Sequence, residues 1–313
     1  MGGFLETCAE LLQLKHCTYI ERTCTMKTVD LHVHSHYSDG TLSPEEIVAL
    51  AIEKGLSAIA LTDHDSIRGV KDALAAQQKY NNQVKVIPGV ELSVGYKNGD
   101  IHIVGLFVDY ENPLFIETSN LLIKRRDDRN REMIKRLQDA GIPITMEALL
   151  EENPDTVITR ANFGRFLCQN HFAASMQDAF NKYLNEDTPF YVPRKYLTPK
   201  EGIDLILKTG GVPILAHPLH YQLGEKELEQ LLTELLSYGL VGMEVKYSNH
   251  TLQDEYFASS LAAKHHLLKS GGSDFHGSNK PDIALGSGRG NLKVPYSYLE
   301  ELAKHARNAR DFL

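Results

Sequence analysis

Tryptophan is absent from this sequence and cysteine is scarce, with 4 in 313 residues. Cys8, Cys17 and Cys24 crowd the N-terminal segment and Cys168 stands alone, so no disulfide framework is implied and the spacing matches no zinc motif. Long apolar runs are missing too, which excludes a helical membrane span. Positive charge is in deficit: 33 Lys and Arg against 41 Asp and Glu give a net charge of −8. That balance argues against a protein that coats nucleic acid through bulk charge, but not against one that cuts it with local metals. There is no internal repeat and no low-complexity tract. No Walker loop occurs, nor a Gly-x-Gly-x-x-Gly leading into a helix, which disfavours nucleotide-driven transfer. A cytoplasmic enzyme with no membrane partner remains the expectation, with enough chain for one elaborated domain or a domain carrying an insertion. Residues 1–25 read as neither signal peptide nor span, because Glu6, Glu10, Lys15, Glu21 and Arg22 interrupt the apolar positions. With Met26 just before the first strand, they are expected to be an appended or mis-started extension, or a packed N-terminal helix.

What the chain does have is histidine beside carboxylate. Thr28 to Val33 has the β-branched, alternating look of a strand, and Asp39-Gly40 signals a turn. Residues two apart on a strand share a face, so His32 and His34 project side by side, and a carboxylate follows at Asp39. Two imidazoles and an acid suit a divalent transition metal.

The rest of the chain repeats that logic. Ser43-Pro44-Glu45-Glu46 opens a helix, and an apolar strand from Ser57 to Leu61 ends in Thr62-Asp63-His64-Asp65. A helix over 67–80 leads to a strand over 84–94 with Glu91 near its end, and 100–108 alternates around His102. Later strands end in His217-Pro218, contain Glu244, or end in Ser273-Asp274-Phe275-His276. Alternating β and α elements with ligands gathered at C-terminal strand ends predict a barrel of parallel strands. The rhythm breaks over 112–193, where a long helix (114–140) and shorter helical segments predict a helical insertion, expected as a substrate lid. The barrel then comprises 26–111 and 194–313. The charge run Lys124 to Arg131 is expected to be a solvated helix face.

Nine candidate ligands emerge: His32, His34, Asp39, His64, Glu91, His102, His217, Asp274 and His276. One catalytic zinc takes three protein ligands, so nine imply a cluster of two or three ions with a bridging carboxylate such as Glu91. Mixed nitrogen and carboxylate donors favour Mn, Fe or Zn over Mg or Ca. Manganese is the first choice and iron or zinc the alternatives. Asp63 and Asp65 are expected to orient His64.

The motifs His32-x-His34 with Ser38-Asp39-Gly40, Thr62-Asp63-His64, Gly89-Val90-Glu91, Ala216-His217-Pro218 and Ser273-Asp274-x-His276 resemble, in order, those of the polymerase and histidinol phosphatase (PHP) superfamily. Each alone is weak, but five in sequence are specific. The resemblance implies an α/β fold, a distorted seven-stranded (β/α) barrel with a trinuclear metal site at its C-terminal face. Within the insertion, Arg160-x-Asn162-Phe163, Ala179-Phe180-x-x-Tyr183-Leu184 and Tyr191-Val192-Pro193 resemble stand-alone bacterial members that remove phosphate from nucleoside 3′,5′-bisphosphates. Some relatives there also trim short RNA from the 5′ end. Asn162 stands where those relatives are expected to carry a second histidine.

The expected activity is phosphoester hydrolysis by a metal-bridging hydroxide, with Asp39 or Asp274 taking the proton. The substrate is a small phosphorylated molecule, a nucleoside 3′,5′-bisphosphate first of all. Alternatives are a 5′-3′ exonuclease on short single-stranded RNA or DNA, a histidinol-phosphate phosphatase, or a non-catalytic metal-binding module. Arg160, behind the N-cap Thr159, offers a planar fork for a second phosphate. His220 is a second candidate substrate contact, and His36 a third from a neighbouring loop.

Overall fold

The structure, a computed structural model, describes residues 27–97, 99–151 and 156–312. The extension expected at 1–25, with three of the cysteines, lies outside the described residues. The chain begins with β1 (Thr28–Val33), α1 (Pro44–Glu53), β2 (Ala58–Leu61), α2 (Val70–Lys79), β3 (Lys85–Tyr96) and β4 (Gly99–Leu106). Helix α1 starts where the sequence predicts, because Ser43 and Glu46 close a capping box ahead of Pro44. A stretch without strands among the described residues follows, holding α3 (Pro113–Asp139), α4 (Met146–Leu150), α5 (Arg160–Gln169), α6 (Met176–Ala179) and a π turn, Phe180–Leu184. Alternation then resumes with α7 (Pro199–Lys208), β5 (Val212–Leu215), α8 (Glu225–Tyr238), β6 (Gly242–Tyr247), α9 (Leu252–Lys264) and β7 (Leu268–Gly272), and ends in β8 (Val294–Pro295) and α10 (Tyr296–Ala303).

The strands form one sheet in the order β7-β6-β5-β4-β3-β2-β1-β8, so the count among the described residues is eight where seven were expected. The eighth is the two-residue β8, paired antiparallel to the first residues of β1. Further along, β1 is joined instead by the segment after β7. There Asp274 N–H donates to His32 O at 2.9 Å, His34 N–H donates to Phe275 O at 3.0 Å, and Val33 bridges Phe275. The barrel thus closes at the end that carries the histidines. Asp30 reinforces the seam by accepting Ser273 N–H at 2.8 Å and Gly286 N–H at 2.8 Å. Close approach there demands glycine: a Cβ on Gly272 would lie 2.4 Å from the Cβ of His32.

The expected all-parallel barrel needs a second correction. Strand β4 runs antiparallel to both β3 and β5. Tyr96 pairs with Gly99, so only a two-residue hairpin joins β3 to β4, far short of the crossover a parallel pair requires. Reversal brings the first half of β4, with His102, to the rim where the other strands end.

Three apolar clusters pack the barrel and its helices, and a fourth belongs to the helical stretch. Val29 and Leu31 of β1 join Ala58, Ala60, Ile87, Val104 and Ile214, leaving His32 on the alternate face. Helix α3 straddles the two regions. Phe115 and Leu122 in its first half pack with barrel residues, whereas Met133, Ile134 and Leu137 pack with Ile144, Phe163, Leu167 and Leu184. At roughly 1.5–3 kcal/mol for each fully buried Leu, Ile or Phe, that second cluster is a core in its own right.

Candidate metal centre

All nine candidate ligands converge on the closed rim of the barrel, arranged around Glu91. Its Oε2 lies 3.3 Å from His32 Nε2, 3.2 Å from His34 Nε2 and 3.0 Å from His64 Nδ1. Its Oε1 lies 2.8 Å from His102 Nδ1 and 2.9 Å from His217 Nε2. Asp274 Oδ1 approaches His34 Nε2 at 3.3 Å, and Asp39 Oδ1 approaches His276 Nε2 at 3.1 Å. Three overlapping groups have donor atoms within 4.8 Å of one another: His32, His34 and Glu91; His64, Glu91 and His102; and His34, Asp39, His64 and His276. His217 and Asp274 both take the left-handed backbone conformation, with φ of 27° and 57°, which side chains adopt only where surrounding structure enforces it.

The electrostatics fit divalent cations. Burial alone disfavours charge on an imidazole, yet the surrounding carboxylates hold His34 up at about 9 and His102 at about 10. Glu91 goes the other way: burial opposes its charge, but His32, His102 and His64 hold it well below the usual range. The clustered carboxylates thus favour positive charge among the rings, which a divalent cation would supply. Asp39 Oδ1, His64 Nδ1, Glu91 Oε2 and His217 Nδ1 are buried without a hydrogen-bond partner, as expected of atoms that ligate an ion. Nitrogen and carboxylate donors together suit Mn, Fe or Zn.

Residues outside the expected set hold these side chains. Glu244, 1% exposed, accepts His32 Nδ1–H at 2.9 Å on Oε1 and His217 N–H at 2.7 Å on Oε2. That bond leaves Nε2 of His32 free to ligate. Asp274 Oδ2 accepts Tyr247 O–H at 2.8 Å and Lys280 Nζ at 2.6 Å. A charged residue within the apolar strand β6 was the available signal for Glu244. Asp63 and Asp65 do not bond the ring of His64. Asp63 accepts Ser35 N–H, Ser35 O–H and Ser38 O–H, fixing the loop after His34, and Asp65 accepts Arg126, Arg194 and Ser93 N–H. Residue 65 has φ 53°, which turns its side chain away from its neighbour.

Beside the cluster lies a cavity of about 180 Å³ with Asp39, His64 and His102 on one wall and Arg126, Arg129, Arg160 and Arg194 on the other. The charge run on α3 is therefore not wholly a solvated face. Lys124, Asp128 and Arg131 are exposed, but Arg126 and Arg129 are 6% and 7% exposed. They share the helix stripe of Leu122 and Met133, and following that stripe at its i, i+4, i+7 spacing would have found them. Burial, then the neighbouring arginines, pushes Arg129 down to about 9. Nε of Arg126, Arg129 and Arg194 and Nη2 of Arg194 have no hydrogen-bond partner. Arg160 is held between Phe180 and Tyr191, its guanidinium 5.9 and 5.7 Å from the ring centres. Thr159, ahead of it, donates to Asp39 Oδ2 at 3.2 Å and so ties α5 to the metal cluster. Asn162 caps its own helix, accepting Thr159 N–H at 2.8 Å. His220 is exposed, its ring edge-on to His217 at 5.5 Å, and His36 lines a separate cavity with Thr41 and Arg165.

Comparison with known proteins places this geometry in context. Residues 30–164 match the PHP domain family. The 5′-3′ exoribonuclease Rnm of Escherichia coli (strain K12) is 37% identical over 247 residues, covering 79% of this chain and 84% of that protein. The 3′,5′-nucleoside bisphosphate phosphatase of Chromobacterium violaceum is 33% identical over 253 residues, covering 80% of this chain and 88% of that protein. A solved structure described as an amidohydrolase from Chromobacterium violaceum, with bound sulfate and no metal, superposes with a TM-score of 0.77 at 30% identity, covering 90% of this chain and 98% of that one.

Proposed function

The chain belongs to the PHP domain family and is a metal-dependent phosphoesterase, and from that premise we propose that it hydrolyses a phosphate ester of a nucleotide carrying a second phosphate, a nucleoside 3′,5′-bisphosphate first of all. The observation that carries this reading is one cavity lined both by Asp39, His64 and His102 of the nine clustered candidate ligands and by four arginines. A metal cluster accounts for hydrolysis of any phosphate ester. Four guanidiniums, several with unpartnered N–H groups, account for a second anion.

In this reading His32, His34, Asp39, His64, Glu91, His102, His217, Asp274 and His276 hold two or three divalent ions, manganese first. Bound there, such ions lower the pKa of water towards 7 and offset charge on phosphoryl oxygens. The chain does the rest. Asp39 faces the arginine cavity; with Oδ1 turned to the ligand histidines, Oδ2, which accepts Thr159 O–H at 3.2 Å, is the oxygen to receive the proton of the attacking water. Asp274, whose outer oxygen already holds Tyr247 and Lys280, keeps its inner oxygen directed at His34. Arg160, stiffened by two aromatic rings, presents its fork to the second phosphate beside Arg126, Arg129 and Arg194. Residues 112–193 act as the lid, supplying Arg126, Arg129 and Arg160 to the barrel rim.

A second reading, 5′-3′ exonuclease activity on short RNA, is favoured by cavity size. At about 180 Å³ the cavity is smaller than the 300 Å³ or more typical of enclosed small-molecule sites, so it takes a phosphorylated end and leaves the rest outside. Both readings are tested by assaying the Mn-loaded protein against adenosine 3′,5′-bisphosphate, histidinol phosphate and a 5′-phosphorylated oligoribonucleotide. Fastest turnover on the bisphosphate supports the first reading and on the oligoribonucleotide the second. Preference for histidinol phosphate overturns both.

A further inference from the structure

We propose that Asp65 is a positioning residue whose carboxylate holds Arg126 and Arg194 together as one anion-binding unit, and that this unit sets the preference for a substrate with a second phosphate. The proposal rests on the bisphosphate reading above.

Asp65 follows His64 of the metal cluster directly, yet it serves the other side of the cavity. It is fully buried, and β3, α3 and the segment at Arg194 fix it. Its own N–H donates to Glu91 O at 2.9 Å, and its carbonyl accepts Ser119 O–H of α3 at 2.8 Å. Its Oδ1 accepts Ser93 N–H of β3 at 3.0 Å, which leaves Oδ2 for the arginines. Onto that one oxygen converge Arg126 Nη2 from α3 and Arg194 Nη1, the latter at 2.8 Å. Two buried guanidiniums repel each other, and without a carboxylate between them they would separate or draw in solvent.

The bonds to Asp65 use one nitrogen of each arginine. Nε of Arg126, and Nε and Nη2 of Arg194, stay without a partner although buried. The ring of Tyr196 lies 4.3 Å from the Arg194 guanidinium and fixes its plane. Asp65 thus neutralises one positive charge while leaving N–H groups from two separate segments oriented on one cavity. Those segments lie 68 residues apart in the chain (194 minus 126), and the Asp65 carboxylate is the contact they share.

The test is steady-state kinetics of the Mn-loaded protein and of Asp65→Asn, the Arg126→Met/Arg194→Met double variant and the triple variant, on adenosine 3′,5′-bisphosphate and 4-nitrophenyl phosphate. Loss of charge-assisted contacts predicts that Asp65→Asn raises KM for the bisphosphate about 30-fold while kcat moves less than about 3-fold. The rise on 4-nitrophenyl phosphate should be at least about tenfold smaller. Because Asp65 acts through the arginines, adding Asp65→Asn to the double variant should change KM by less than about 2-fold. Equal losses on both substrates, or a full further loss in the arginine-less background, overturn the strut. If Asp65→Asn does not fold, the single arginine variants carry the test: one unit predicts that either loses nearly as much as both, and multiplicative losses overturn it. Should the unaltered protein show no preference for the bisphosphate, the substrate reading fails separately. The strut is then judged by affinity for inorganic phosphate after chelation, which Asp65→Asn must weaken about tenfold or more and an unchanged affinity refutes.

Discussion

Replacing Glu244 by Gln tests the claim that second-layer contacts hold the metal ligands. The substitution conserves size but removes one acceptor and adds a donor. Glu244 accepts two N–H groups, from His32 Nδ1 at 2.9 Å and from the backbone of His217 at 2.7 Å, and an amide accepts only one of them. If the amide nitrogen turns to His32, that ring must shift its proton to Nε2, the nitrogen that faces Glu91 at 3.3 Å. If it turns to His217, two donors meet and push on a residue already held at φ 27°. Either way one bond to a buried charged group is lost, at about 1.5–3 kcal/mol, and metal affinity should fall about 10–100-fold. Chelator-competition titration with Mn measures that affinity, and circular dichroism checks that the fold survives. Activity should return towards the parent value at high metal concentration. A well-folded Glu244→Gln protein with unaltered affinity would refute the reasoning, as would lost activity that no metal concentration restores.

The double variant His32→Ala/His34→Ala should lose turnover while keeping its far-UV spectrum, because the apolar clusters lie elsewhere. Substantial activity with metal still bound would show that the centre is misplaced. Arg160→Ala should lower kcat/KM for adenosine 3′,5′-bisphosphate by about 2–3 kcal/mol and for an aryl phosphate by less, and equal losses would take Arg160 out of the site. Gly272→Ala should destabilise the fold by about 1–3 kcal/mol or more in urea titrations, since its Cβ would fall 2.4 Å from His32 Cβ and 2.5 Å from His32 N. An unchanged midpoint would mean that the seam between β1 and β7 yields easily.

The element order and the nine clustered side chains were legible because both rest on local pattern. Histidines and acids at the ends of apolar runs need only the strand period to be placed, and caps such as Ser43 with Glu46 need only four residues. What escaped depends on partners far along the chain. The antiparallel course of β4 is masked by the alternating βα rhythm on either side of it; the short gap between 94 and 100 is its local sign, and the pairing of Tyr96 with Gly99 gives that gap its meaning. Arg126 and Arg129 sit in a charge run that looks solvated until its helix is laid against the barrel. Asp65 was assigned to its neighbour His64, yet its partners are Arg126 and Arg194, and nothing within a few residues points to them.

The seam that closes the barrel also imposes an order in time. Ser273 bonds Asp30 across 243 residues, and Asp274 and His276 reach the first histidines only once that seam is made. A chain emerging from the ribosome therefore presents its earliest ligands long before its last ones. On the proposed ligand set, the rim before β7 docks would offer only a weak, open chelate. Closing so long a loop carries an entropic cost that earlier strand pairing reduces, so strong retention of metal should follow folding rather than precede it. On that ligand set, tight metal binding would report that the segment after β7 has docked on β1.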